Sequence, residues 1–83
     1  MYDIEWTRRA LKQLKKIDHA RQKQIVIAVR DLKQWPDCQN VKRLRNRPGY
    51  RLRIGRYRVF FDVADRLKIV TIEEVKKRDD RTY

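Results

Sequence analysis

The first residues of the chain alternate in polarity, with Tyr2, Ile4 and Trp6 set against Asp3 and Glu5. A period of two is that of a half-buried strand. The period then changes. Ala10, Leu11, Leu14 and Ile17 fall at helical spacing, with Arg8, Arg9, Lys12, Lys15 and Lys16 turned outward, and Thr7 precedes them as a suitable N-cap. Asp18 breaks this pattern and can cap a second helix. Its apolar face is Ile25, Ala28, Val29, Leu32 and Trp35, and Pro36 stops it. Almost no loop joins the two helices, which predicts an antiparallel helical hairpin. Residues 39–48 form a basic connector with room for a short strand near 41–44. Two alternating runs follow, Tyr50–Ile54 and 57–63, on either side of Gly55-Arg56. Ala64-Asp65-Arg66 is the next turn, 67–75 reads as a last strand, and the tail 76–83 is too polar to be core. The order β-α-α-β-β-β predicts an α+β fold. A two-helix hairpin packs on one face of a twisted, mainly antiparallel sheet, and the other face stays open.

A two-residue loop beginning with Gly fits a type II′ hairpin turn. That turn pairs Ile54 with Tyr57, Arg53 with Arg58, Leu52 with Val59 and Arg51 with Phe60. Tyr50, Leu52, Ile54, Tyr57, Val59, Phe61 and Val63 then share the apolar face. Arg51, Arg53, Arg58, Phe60 and Asp62 share the other. Between Asp37 and Asp62 lie Lys42, Arg43, Arg45, Arg47, Arg51, Arg53, Arg56 and Arg58, and no acidic residue. Like charges directly opposite each other destabilise a sheet, so the Arg53–Arg58 pair points to an anionic ligand. A merely solvated strand face is the plain alternative.

With 83 residues the chain is expected to be one domain, 1–83. Its 23 Lys and Arg against 11 Asp and Glu give a net charge of +12, which favours polyanions, nucleic acid above all. No long amphipathic helix pairs a basic face with exposed aromatics, so a membrane surface suits it less. Cys38 is alone, and neither a signal peptide nor a membrane-spanning apolar run is evident. These features predict a cytoplasmic protein without disulfides. Cys38 has no His near it in sequence and reads as an inert thiol. One His and one Cys make a metal site improbable, and no cofactor is expected.

The chain holds no paired carboxylates, no Ser-His-Asp set and no phosphate-cradling Gly loop. His19 sits at the helix–helix junction, where capping or exposure suits it. RNA can nevertheless be cut without a metal, because its 2′-OH is the nucleophile. The enzyme must align it, stabilise the phosphorane-like charge and move protons. Arginines serve the second task, and hold phosphates as bidentate forks. They are poor proton carriers, with pKa values above ~12. Phe60 could stack on a base, or be a half-covered edge residue. Tyr83 is the candidate acid–base group, and a simple anchoring role is its alternative.

Four segments together resemble the RelE/ParE superfamily of bacterial toxins from toxin–antitoxin pairs. They are residues 6–14 (Trp6-Thr7-Arg8-Arg9-Ala10-Leu11-Lys12-Gln13-Leu14), Val41-Lys42-Arg43-Leu44, the run from Tyr50 to Val59, and the tail from Val75 to Tyr83. The resemblance implies a helical hairpin on a twisted antiparallel sheet. It also implies one of two activities: cleavage of mRNA in the ribosomal A site by the RelE branch, or poisoning of DNA gyrase by the ParE branch.

On the RelE side, the resemblance implies a concave face carrying two basic residues on one strand, an Arg on the next, and an Arg followed by a Tyr near the C-terminus. Arg51 and Arg53 match the first pair, Arg58 the strand Arg, and Arg78 the C-terminal Arg, with Lys77 before it. Tyr83 falls near the place of the Tyr. The expected roles follow. Arg51 and Arg53 hold the mRNA backbone, with Arg53 near the scissile phosphate. Arg58 and Arg78 stabilise the transition state, and Tyr83 orients or deprotonates the 2′-OH. Phe60, Lys77, Arg81, Arg45 and Arg47 are further RNA contacts, and Arg81 could share the role of Arg78. Arg8, Arg9, Lys12, Lys15, Lys16 and Lys23 are expected to face ribosomal RNA, or simply solvent. A cognate antitoxin is the implied protein partner, with operator DNA reached only through that complex. Where RelE has lysines in the strand pair, this chain has arginines, which keeps the charge and removes a proton-donating amine. No His stands in the tail.

Overall fold

The computed structural model describes residues 1–78; Arg81 and Tyr83 lie outside the described residues. The elements are β1 (Asp3–Trp6), α1 (Arg8–Lys15), α2 (His19–Arg30), a 3-10 turn (Asp31–Gln34), β2 (Val41–Arg43), β3 (Tyr50–Ile54), β4 (Tyr57–Ala64) and β5 (Ile69–Lys77). One sheet runs β1-β5-β4-β3-β2, with β1 parallel to β5 and every other pair antiparallel. This is the expected α+β architecture, with the short connector strand realised as β2.

The helices begin where the sequence places their caps. Thr7 Oγ1 accepts from Ala10 N–H (3.1 Å), and Asp18 Oδ2 from Arg21 N–H (3.3 Å). α1 packs against β5, and α2 against β3 and the 3-10 turn that follows it. Ala10 and Leu14 of α1 are buried, whereas Leu11, expected on the same face, is exposed. Ile25, Val29 and Leu32 meet Leu52, Val59, Phe61, Val70 and Ile72 in the core. The Phe61 ring lies edge-on to Trp35 at 5.5 Å and stacks with Tyr50 at 5.6 Å.

The hairpin has the expected register: Ile54–Tyr57, Arg53–Arg58, Leu52–Val59 and Arg51–Phe60. Gly55 has φ 56°, and Arg56 is not among the residues with positive φ, the pattern of a II′ turn.

The last strand differs from expectation at both ends. Lys68 adopts φ 58° and closes the turn, so Leu67 is left exposed and β5 starts at Ile69. Lys76 and Lys77 then extend the strand by pairing with Arg58 and Tyr57. Backbone pairing is indifferent to side-chain polarity, and β4 begins at Tyr57, so its edge away from β3 gives Lys76 and Lys77 partners. Between these ends lies a β-bulge. Phe60 pairs with Glu74 and Phe61 with Ile72, leaving Glu73 as the extra residue. The bulge frees backbone groups that α1 satisfies. Thr7 Oγ1 donates to Glu73 O (3.3 Å), and Val75 N–H donates to Gln13 Oε1 (2.7 Å). It also switches parity. Val70, Ile72 and Val75 face the core, while Glu74 and Lys76 turn to the open face with Phe60 and Arg58.

Gly49 lets the connector close against this sheet. Its φ is 110°, and a Cβ there would stand 2.6 Å from Asp62 Oδ1 and 3.0 Å from Phe61 O. The Asp62 side chain can swing aside, but the backbone dihedral cannot be relieved. Gly49→Ala is therefore expected to cost about 1–3 kcal/mol, read as a fall in Tm.

Candidate nucleic-acid interface

The open sheet face is organised as cross-strand rows. One runs Lys42–Arg51–Phe60–Glu74 and the next Arg53–Arg58–Lys76. Arg53 N–H donates outward to Asn40 O (2.9 Å) rather than to β4. Arg53 and Arg58 are thus a non-hydrogen-bonded pair, the kind that brings side chains closest. Arg78 follows β5, and its N–H donates to Arg56 O (2.6 Å), pinning the start of the tail beside the hairpin turn. Arg51, Arg53, Gly55, Arg58 and Arg78 together line a cavity of about 250 Å³. Among the described residues no carboxylate pairs with any of these four arginines, and nothing stands within 4 Å of where a Gly55 side chain would be. Four guanidinium forks around one open hollow have the charge and geometry to hold an oxyanion such as a phosphodiester.

The other half of the face is mixed in charge. The buried Glu74 carboxylate holds Arg9 from α1 (3.0 Å), Arg47 from the connector (3.3 Å) and Lys76 (3.6 Å). Arg47 also caps the Phe60 ring at 4.7 Å, with Lys76 Nζ 6.0 Å from the same ring. Two sequence expectations change here. Phe60 does lie on the arginine face, but a guanidinium already covers it. Arg47 is committed to Glu74 and Phe60.

Lys77 is a correction of another kind. It pairs with Tyr57 and borders Gln13, Lys16 and Val75 on the helix side of the sheet. The bulge is the reason, because it hands the open face to Lys76. Arg45 lies exposed in the connector, and Arg8, Lys12, Lys15, Lys16 and Lys23 are exposed on the helices. The proposed roles of Arg81 and Tyr83 fall outside the described residues.

Beside Glu74, a groove of about 410 Å³ is lined in part by Asp62, Glu73, Phe60 and Arg47. Burial, then a hydrogen bond to Asp62 and the charges of Asp62 and Glu74, raise the Glu73 carboxyl above its ordinary range. Folding therefore holds this proton more tightly than the unfolded chain does. The resulting stabilisation is complete below the ordinary carboxylate range and is lost as pH rises through the raised value. Glu73→Gln removes the ionisation, so Tm of the variant minus Tm of the native protein should widen from below pH ~4 to neutrality. Cys38 behaves as an inert thiol: burial, then Asp37 and Asp31, raise its pKa, and Sγ–H donates to Asp31 O (3.7 Å).

Glu74, Lys76 and Arg9 were not among the residues expected to shape the cleft, apart from Arg9 as a ribosome contact. A signal for them exists in the chain. Strict alternation from Val70 and Ile72 would drive Glu74 into the core, and a charged residue at a core position of a strand marks a bulge.

Residues 4–81 match the family described as "ParE toxin of type II toxin-antitoxin system, parDE". The chain belongs to this family. The RelE/ParE resemblance of its sequence is thereby borne out. No curated protein matches the toxin in sequence. Among solved structures, the toxin–antitoxin complex RelBE2 from Mycobacterium tuberculosis contains a chain 28% identical to the toxin, with TM-score 0.82, covering 93% of this chain and 98% of that one. The isolated RelE toxin of E. coli is 22% identical with TM-score 0.83, covering 99% and 89%. The archaeal RelE–RelB complex from Pyrococcus horikoshii gives 23%, 0.78, and coverage of 95% and 97%. At these identities the last two speak for the fold alone.

Proposed function

We propose that this toxin is a ribosome-dependent, metal-independent mRNA endoribonuclease that inhibits translation. The observation that carries the reading is the hollow enclosed by Arg51, Arg53, Arg58 and Arg78, with no neutralising carboxylate among the described residues. Repulsion between these groups is relieved when an anion binds. Arg51 and Arg53 grip the mRNA backbone, and Arg58 and Arg78 stabilise charge on the phosphorane-like transition state as the 2′-OH attacks. Tyr83 is the candidate acceptor of the 2′-OH proton on its chemistry. The exposed cations Arg8, Lys12, Lys15, Lys16 and Lys23 suit ribosomal RNA, and such contacts weaken as salt rises.

An antitoxin partner is part of the same reading. The similar M. tuberculosis chain was solved in a toxin–antitoxin complex, RelBE2, and the P. horikoshii chain in a RelE–RelB complex. A bare phosphate-binding cleft would also harm its host unless covered. Co-expression with the neighbouring reading frame should yield a stable complex, through which any operator DNA would be reached.

A second reading has its own support. The family match carries the ParE name, and gyrase inhibition would need no cleavage chemistry. Reconstituted translation and gyrase supercoiling, run in parallel with the purified toxin, separate the two. Arrest of translation with supercoiling intact is the expected outcome; the reverse assigns the toxin to gyrase.

A further inference from the structure

Cleavage of RNA by its own 2′-hydroxyl moves two protons: one leaves the attacking oxygen and one reaches the departing 5′-oxygen. Guanidinium groups release protons too reluctantly for the second task, with pKa values above ~12. The cleft is therefore rich in charge stabilisation and short of an exchangeable proton. Resting on the ribonuclease reading, we propose that Lys76 is the general acid that protonates the leaving 5′-oxygen.

Three observations place it. Lys76 pairs with Arg58, which pairs with Arg53, so the three stand in one row across β5, β4 and β3. Alternation along the strand puts Arg78 on the same face, two residues further on. Second, the ammonium is tethered: Nζ lies 3.6 Å from Glu74 Oε1, and the Lys76 side chain is 54% exposed. Glu74 is itself held by Arg9 and Arg47, so the tether is a fixed point and the lysine is presented to solvent from it. Third, the other lysines near the sheet are placed less well. Lys42 stands opposite Arg51 on β2, two strands from Arg58 on β4, and Lys77 faces the helices. The bulge at Glu73 is the device that brings Lys76 rather than Lys77 to the arginine face.

The step balances as follows. The 2′-oxygen forms its bond to phosphorus, and its proton passes to a base or to water. The bond from phosphorus to the 5′-oxygen breaks, and that oxygen keeps the electron pair and takes a proton from the Lys76 ammonium. The products are a 2′,3′-cyclic phosphate and a 5′-hydroxyl, and the neutral amine regains a proton from water.

The test compares two RNAs in single-turnover cleavage on programmed ribosomes: one ordinary, and one with sulfur in place of the scissile 5′-oxygen. A thiolate departs without a proton. Lys76→Arg keeps the positive charge and a partner for Glu74 but cannot readily give up a proton. It should slow cleavage of the ordinary RNA on the order of a hundredfold, while the sulfur-substituted RNA is cut at the native rate. Equal slowing of both substrates overturns the proposal in favour of a charge or packing role. Native rates on both overturn it outright. If the native toxin cuts neither RNA, the ribonuclease reading itself falls and the proposal with it. Melting curves of the variant exclude misfolding as the cause of any loss.

Discussion

Arg58→Ala is expected to abolish mRNA cleavage while leaving the fold intact. Arg58 lies at the middle of the row from Arg53 to Lys76, and its side chain projects from the open face, away from the core formed by Val59 and Phe61. Truncating it opens no buried cavity. It also relieves repulsion with Arg53, so stability should hold or rise by a few tenths of a kcal/mol. Loss of one donor to transition-state charge typically slows a reaction by about 10²–10³-fold. Arg58→Lys should recover part of this, because it restores charge without the bidentate fork. Single-turnover cleavage and thermal melting, measured on the same preparations, check both halves. A variant that still cuts at the native rate places the chemistry elsewhere, and one that unfolds makes Arg58 structural.

Phe61→Ala should have the largest effect on stability. Phe61 is 1% exposed, and its ring contacts Trp35 and Tyr50 while its strand borders the bulge. Removing a buried Phe costs about 3–5 kcal/mol. A domain of this size has only about 4–12 kcal/mol in total, at roughly 0.05–0.15 kcal/mol per residue. The expected fall in Tm exceeds about 12 °C. Phe60, the next residue, belongs to the open face, so toxicity should disappear with the core. A fall of only a few degrees would mean that the surrounding rings close over the vacated space.

Much of this architecture is legible in the sequence because its signals are local and strong. Thr7 and Asp18 cap the helices they precede. Gly55 fixes the turn, and the turn fixes which residue faces which across β3 and β4. Three arginines of the cleft, Arg51, Arg53 and Arg58, follow from parity once that register is known, whereas Arg78 follows only from the family resemblance. The part that escapes is non-local. Alternation breaks in β5 at a bulge whose exposed backbone groups are satisfied by Thr7 and Gln13, more than sixty residues away. No short window of sequence contains both sides of that arrangement. Hence Lys76 rather than Lys77 reaches the open face, and Glu74 lies there instead of in the core. Arg47 escapes for the same reason: within its connector it reads as one more free cation, while its partners come from β4 and β5.

The central claim is that this toxin cuts mRNA through the RNA's own 2′-hydroxyl at the arginine cleft. The most direct measurement uses programmed ribosomes with a defined A-site codon, the purified toxin, and a chelator to remove divalent metal after assembly, provided the ribosomes stay intact. Cleavage is mapped on an ordinary mRNA and on one carrying a single 2′-deoxy nucleotide at the mapped site. Cleavage that persists with the chelator, leaves a 2′,3′-cyclic phosphate and stops at the 2′-deoxy position is the predicted result. Cleavage of the 2′-deoxy message at the same position, or an uncut message while gyrase supercoiling fails, would contradict the account.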